Sequence, residues 1–269
     1  MKKSENFLNK IREKYKDYLK LLEIKIKEVF EEKVLIPDFI TKGKRLRALS
    51  FMIILKNYNF LNEMTLNIAI SIELLHASSL IHDDIIDKEE FRREYPTLNK
   101  FYGNSVAVLS GDYVFVKSLE FANKFKNFKI IDEFIKTSKS MVKGELKEEL
   151  IPREEKLKEK TYIEIISKKT ASLFEYAFSS SAIIINENIN HFKELGKFLG
   201  IAYQIIDDCE DFFDDIKKGK ITLPLIYLYK FDNNILMFLD DFDYLKEKTI
   251  NSRAMENSIN LALEYLIIN

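Results

Sequence analysis

Two short acidic runs hold the side chains best suited to chemistry. In Leu80-Ile81-His82-Asp83-Asp84-Ile85-Ile86-Asp87, three carboxylates interrupt an apolar stretch. On a helix, Asp83 and Asp87 stand one turn apart on a single face with Asp84 beside them. Like charges that close repel, and the neighbours are leucine, isoleucine and serine rather than lysine, so the cluster calls for a cation. Oxygen-only ligands suit Mg²⁺, which keeps several waters and takes one or two carboxylates together with substrate phosphates. The second run, Gln204-Ile205-Ile206-Asp207-Asp208-Cys209-Glu210-Asp211, repeats the spacing and puts Gln204, Asp207, Asp208 and Asp211 on one helical face. One acidic helix end is commonplace, but two copies of one spacing are hard to explain as accidental surface faces. Facing clusters of this kind would hold several Mg²⁺ ions around a strongly anionic group, for which a diphosphate is the obvious candidate.

Basic side chains near turns supply the complementary charge. Gly43-Lys44-Arg45-Leu46-Arg47 sets Lys44 and Arg47 at a helix start, beside unpaired N–H groups that attract anions. A solvated basic turn would read the same way. His76 lies two turns before Asp83 on the same face, where a hydrogen-bonded core histidine is the commoner role. Arg92 and Arg93 follow Asp87 closely, and their planar forks suit phosphate oxygens as well as they suit Glu89 and Glu90. Lys169 and Thr170 interrupt an apolar helix face, and Lys220 follows Gly219 just past the second acidic run. Together these residues describe a cavity with acidic clusters facing each other and basic groups at its mouth.

The elements that must hold them are helices. Seven glycines and four prolines punctuate 269 residues, and apolar residues recur mostly at three- and four-residue spacing. Ile11, Tyr15, Tyr18, Leu19, Leu22 and Ile26 form one face of a first helix reaching about Glu32, and Pro37 ends the connection after it. A second helix begins near Gly43, and a third, from about Met64, carries the first acidic run at its C-terminal end. Ser105 to Lys124 and Lys129 to Leu150 continue as helices, and Pro152 sits in the first turn of the next, which runs past Lys169 towards Ile185. A helix from Asn190 carries the second run, and shorter helices follow Thr222 and Asn251. No linker-like composition shift or repeat divides the chain, so residues 1–269 read as one all-α domain, a helical bundle around a central cavity. Lys and Arg (42) nearly cancel Asp and Glu (43), which leaves no global basic footprint for nucleic acid. The single cysteine, Cys209, excludes an internal disulfide, fits a reducing cytoplasm, and reads as a small core residue. The charged start lacks the apolar centre of a signal peptide, and no later apolar run is expected to span a bilayer.

These motifs, in this order, resemble the trans-polyprenyl diphosphate synthases. Gly43 to Arg47 is similar to the family's GKRxRP segment, with Ala48 in place of the proline. Leu80 to Arg93, followed by Pro96-Thr97, Gly103 and Leu109-Ser110-Gly111-Asp112, resembles its first aspartate-rich region and sequel. Lys169-Thr170-Ala171-Ser172-Leu173-Phe174 matches KTAxLF, Leu199 to Gln204 leads into the second DDxxD, and Asp215 to Pro224 resembles DxxxGKxTLP. The resemblance implies an isoprenoid synthase-like fold and condensation of isopentenyl diphosphate with an allylic diphosphate. It implies that Asp83, Asp87 and Asp207 ligate Mg²⁺, with Asp84, Asp208 and Asp211 acting directly or through water. Lys44, Arg47, His76 and Arg93 would hold isopentenyl diphosphate, and Arg92, Lys169 and Lys220 the allylic diphosphate, with Thr170 and Gln204 facing the reacting carbons. It also implies a homodimer. The segment between Asp211 and Lys220 is shorter than in most relatives, so that one phosphate-binding lysine is missing or Lys217 or Lys218 takes its place. A class I terpene cyclase would usually replace the second aspartate cluster and lack the basic site around Lys44, and a noncatalytic subunit typically loses one cluster. This chain retains both clusters. Beneath Asp83 the first acidic helix presents Ser79 and Ser78, then Leu75, then Ile72 and Ser71, with no aromatic ring to stop a growing tail, so a product of geranylgeranyl length or longer is expected.

Overall fold

The computed structural model describes residues 10–30 and 43–267. Glu32 and Pro37, expected to end the first helix and its connection, lie outside the described residues. The chain is all-α, as expected. In order it forms α1 (Lys16–Phe30), α2 (Leu46–Asn57), α3 (Glu63–Ile86), α4 (Leu98–Tyr102), α5 (Asn104–Lys124), α6 (Phe128–Leu150), α7 (Arg153–Lys156) and α8 (Glu159–Ile166). A π-helical turn, Ser167–Ala171, leads into α9 (Ser172–Ile185), followed by α10 (Ile189–Glu210), α11 (Phe212–Lys217), α12 (Leu223–Phe231), α13 (Phe242–Ser252) and α14 (Ala254–Ile267). Its contacts divide it into two compact units, Met1–Phe134 with Ser180–Asn188, and Ile135–Ser179 with Ile189–Asn269.

In the first unit α3 is the core element. Asn62 caps it: its side chain accepts from the Thr65 N–H while the Thr65 hydroxyl accepts from the Asn62 N–H, satisfying two otherwise orphan donors. Ile68, Ile72 and Leu74 are fully buried on different sides of the helix, the pattern of an element enclosed all round. By length and composition α3 is long and apolar enough to cross a membrane, contrary to the expectation that no apolar run reaches that length, but 72% of that window is buried inside the protein. It packs most extensively on α5, where Gly111 allows the approach: a Cβ there would lie 2.4 Å from His82 Nε2. Tyr15, Leu19, Leu22 and Ile26 are buried as the helical spacing of their side chains requires. Between α3 and α4 a short hairpin pairs Phe91 with Pro96 and Arg92 with Tyr95, and its two turn residues, Arg93 and Glu94, take φ values of 50° and 70°.

In the second unit α10 packs on α14 and on the π turn around Tyr162, Ile166, Ile201, Ile205, Leu223 and Ile226. A Cβ on Gly200 would lie 2.5 Å from the Ala171 Cα, so this glycine sets how closely α10 meets the π turn. A neighbouring cluster of Phe212, Ile216, Leu225, Leu228 and Leu245 joins α11, α12 and α13. Two boundaries differ from expectation, and one helix is additional. The second helix starts at Leu46, not near Gly43, because Arg45 turns into the left-handed region at φ 56°. Pro152 is the extended N-cap of the short α7. Helix α13, Phe242–Ser252, is an additional element, and α14 from Ala254 is the helix expected after Asn251.

Candidate functional site

The candidate residues form two groups, one within each unit. In the first, Asp83, Asp84 and Asp87 close α3. Carboxylates at a helix C-terminus oppose the macrodipole, and there is no basic residue in the last turn to offset them. The three differ in setting. Asp84 is buried and accepts from Arg92 Nε at 2.6 Å, whereas Asp83 is half-buried and Asp87 exposed. Burial raises the Asp84 pKa, and the Arg92 guanidinium opposes that rise. The hairpin thus brings Arg92 back onto the cluster.

The basic segment is anchored to the same helix from below. Arg45 Nη1 donates to Glu73 Oε2 at 2.9 Å in a pair whose side chains are each 4% exposed. Two residues on, Arg47 Nη1 meets His76 Nε2 at 3.1 Å. Arginine can only donate, so this ring nitrogen accepts. Burial, then the charges of Arg47, Arg93, Arg45 and Arg92, hold the His76 pKa well below its usual value, and the imidazole is neutral. Arg93 lies at Gly43, its Nη1 3.4 Å from where a Cβ would stand, and Lys44 is exposed, its carbonyl accepting from Arg12 Nη1 at 2.9 Å. Glu73 and His76, three apart on α3, therefore hold the start of α2, with Arg47 in its first turn and Lys44 just before it, close to Arg93.

In the second unit the structure brings Thr170, Gln204 and Asp208 into one chain. Thr170 Oγ1 donates to Gln204 Oε1 at 2.8 Å, and Gln204 Nε2 donates to Asp208 Oδ1 at 2.7 Å. Tyr162 Oη donates to the other oxygen, Asp208 Oδ2, at 2.6 Å. Asp208 is buried, Asp207 half-buried and Asp211 exposed, the same gradation as in the first cluster. Burial raises Asp208 to about 7 against the pull of Tyr162 and Gln204, with Asp215 and Asp207 pushing the same way as burial. Asp215 is raised to about 6 by burial, and Lys220 holds it down. Lys169 reaches Glu145 Oε2 at 2.6 Å and Glu148 Oε2 at 2.9 Å. Gly144 lets α6 approach the π turn this closely, since a Cβ there would lie 2.7 Å from the Lys169 N. Cys209 is half-buried with its thiol pushed up to about 11 by burial, in keeping with a packing role.

Among the described residues no group of three or more His, Cys, Asp or Glu side chains is gathered closely enough to hold a metal ion alone. The donors nonetheless fit Mg²⁺: each cluster pairs an anchored carboxylate with two more accessible ones, all oxygen, and Asp207 and Asp215 add negative charge beside Asp208. Sequence reasoning missed Glu73, Glu145, Glu148 and Tyr162. Glu145 and Glu148, three apart after Gly144, carried a readable signal, whereas nothing local marks Tyr162 as the partner of a residue 46 positions away.

By fold the chain belongs with the all-α isoprenoid synthases. It superimposes on a decaprenyl diphosphate synthase structure from Rhodobacter capsulatus with a TM-score of 0.84, covering 96% of this chain and 90% of that one at 22% identity. Residues 33–237 match the family described as polyprenyl synthetase, and the chain belongs to that family. It is 30% identical to the geranylgeranyl diphosphate synthase of Sulfolobus acidocaldarius over 84% of this chain and 78% of that one. To the octaprenyl diphosphate synthase of Haemophilus influenzae it is 29% identical over 71% of its own length, and the match spans 62% of that relative.

Proposed function

We propose that this chain is a Mg²⁺-dependent trans-prenyltransferase that condenses isopentenyl diphosphate with an allylic diphosphate and works as a single polyprenyl synthetase domain over residues 1–269. The observation that carries the reading is the pair of graded aspartate clusters, each with its middle carboxylate anchored and two others more accessible. Asp83, Asp87, Asp207 and Asp211 are the metal ligands in this reading. Bound Mg²⁺ would stabilise the negative charge that builds on the departing diphosphate, a transition-state effect more than a ground-state one.

The remaining roles belong to the chain's own cations and dipoles. Lys44, Arg47 and Arg93 hold isopentenyl diphosphate, with neutral His76 fixing Arg47 and leaving its charge undiminished. Lys169 and Lys220 are the cations this reading assigns to the allylic diphosphate. Thr170 and Gln204 present a hydroxyl and an amide, already hydrogen-bonded to each other, towards the reacting carbons. The second substrate's double bond then attacks the allylic cation, and the departing diphosphate accepts the proton lost from the new chain.

A homodimer follows from the same reading, supported by the exposed apolar side chains Leu109 and Val116 on α5. A monomeric mass by light scattering at assay concentration would reject it. The absence of a disulfide partner for Cys209 fits a cytoplasmic enzyme. Incubation with isopentenyl diphosphate and an allylic primer tests the activity: a synthase consumes both, whereas a terpene cyclase consumes only the allylic substrate. Retention of both clusters favours the synthase over a cyclase or a noncatalytic subunit.

A further inference from the structure

We propose that Tyr162 is a positioning residue for the second aspartate cluster, holding Asp208 as an anchor so that Asp207 and Asp211 are presented as the metal-binding pair. The inference rests on the metal-site reading given above and adds to it a division of labour within the cluster. Both oxygens of Asp208 are already engaged, Oδ2 by the Tyr162 hydroxyl at 2.6 Å and Oδ1 by the Gln204 amide at 2.7 Å. Tyr162 is 4% exposed, with its ring in the apolar cluster of Ile166, Ile201, Ile205 and Leu223, so its hydroxyl is aimed from a packed base. A buried phenol with one partner donates to it firmly, because losing that bond leaves a desolvated polar group on each side. The chain continues through Gln204 to Thr170, tying the cluster on α10 to the π turn that carries Lys169. The first cluster repeats the arrangement, with Asp84 buried and held by Arg92. In both, then, a carboxylate that cannot reach solvent orients the last turn, and its neighbours one residue before and three residues after do the binding.

The test is Mg²⁺-dependent binding of inorganic pyrophosphate by the purified full chain, followed by calorimetry, with thermal stability measured alongside. Tyr162→Phe keeps the ring and removes only the hydroxyl. It is expected to raise the Mg²⁺ concentration at half-maximal pyrophosphate binding about tenfold, as loss of a hydrogen bond to a charged group would. In an Asp208→Asn background the same change should add less than about twofold, since the residue it orients is already altered. A midpoint unmoved by Tyr162→Phe, or an equal shift in both backgrounds, would mean that Tyr162 only packs. If Asp208→Asn alone abolishes binding as fully as Asp207→Asn, Asp208 is itself a ligand and the proposal fails, an outcome readable even if Tyr162→Phe does not fold. Wild-type protein that shows no Mg²⁺-dependent pyrophosphate binding would instead overturn the underlying site reading together with this inference.

Discussion

Aspartates of one motif differ here in burial and in the partners that reach them. Asp83 and Asp207 are half-buried among other carboxylates, so removing either charge relieves repulsion while removing a proposed metal ligand. Asp83→Ala and Asp207→Ala should each lower turnover by orders of magnitude without lowering the thermal midpoint of the metal-free protein. Near-normal turnover in either would sink the metal assignment. Asp208 makes a second prediction. A carboxyl whose folded pKa lies above its unfolded one contributes stability below the unfolded value and loses it as pH rises through the folded value. With Asp208 at about 7 and Asp215 at about 6, metal-free protein should lose stability as pH rises from the unfolded 3.8 towards 7. His76 works the other way, its depressed pKa withdrawing stability as pH falls below 6.5. The clean window therefore begins at 6.5, where Asp208 is the main carboxyl still titrating. Melting temperatures should fall between there and about pH 8, and Asp208→Asn should flatten the fall. An unchanged slope in that variant would contradict the assignment. The types and spacing of these residues were legible in the sequence. Which aspartate is the anchor was not, because Arg92, Tyr162 and Gln204 reach it through tertiary packing.

At the scale of elements, the long helices were readable from their apolar period and the local departures from it were not. The π turn at Ser167–Ala171 leaves no mark in composition, since it alters hydrogen bonding and not residue type. Arg45 adopts the left-handed conformation without being glycine, and its buried pair with Glu73, 28 positions away, accounts for it. The π turn also depends on Gly200, whose missing Cβ leaves room for the Ala171 backbone. Backbone does not yield as a flexible side chain does, so Gly200→Ala should destabilise the protein by about 1–3 kcal/mol, measured by denaturant unfolding. A midpoint equal to wild type would show that α10 and the π turn can separate freely. The α3 helix makes a prediction about product. Ser78 is buried and donates to the Gly111 carbonyl on α5, leaving half-buried Ser79 as the accessible small residue at that level, with Leu75 below. Ser79→Phe should shorten the product towards farnesyl diphosphate while leaving the first condensation intact. An unchanged product distribution would mean that the tail takes another route.

For the whole molecule, family membership and an all-α fold accord with a reading that began from two acidic spacings and a few misplaced cations. Periodicity placed most helices, and motif order supplied the family, whereas α13 and the short hairpin escaped notice because neither has a distinctive period. The central claim is chain elongation that requires metal. Its most direct measurement is product analysis after incubating the purified protein with radiolabelled isopentenyl diphosphate and a series of allylic primers, with Mg²⁺ and with a chelator. The account predicts label in polyprenyl diphosphates of geranylgeranyl length or longer, and none when the chelator is present. Unconsumed isopentenyl diphosphate with every primer, or elongation that persists in the chelator, would contradict it.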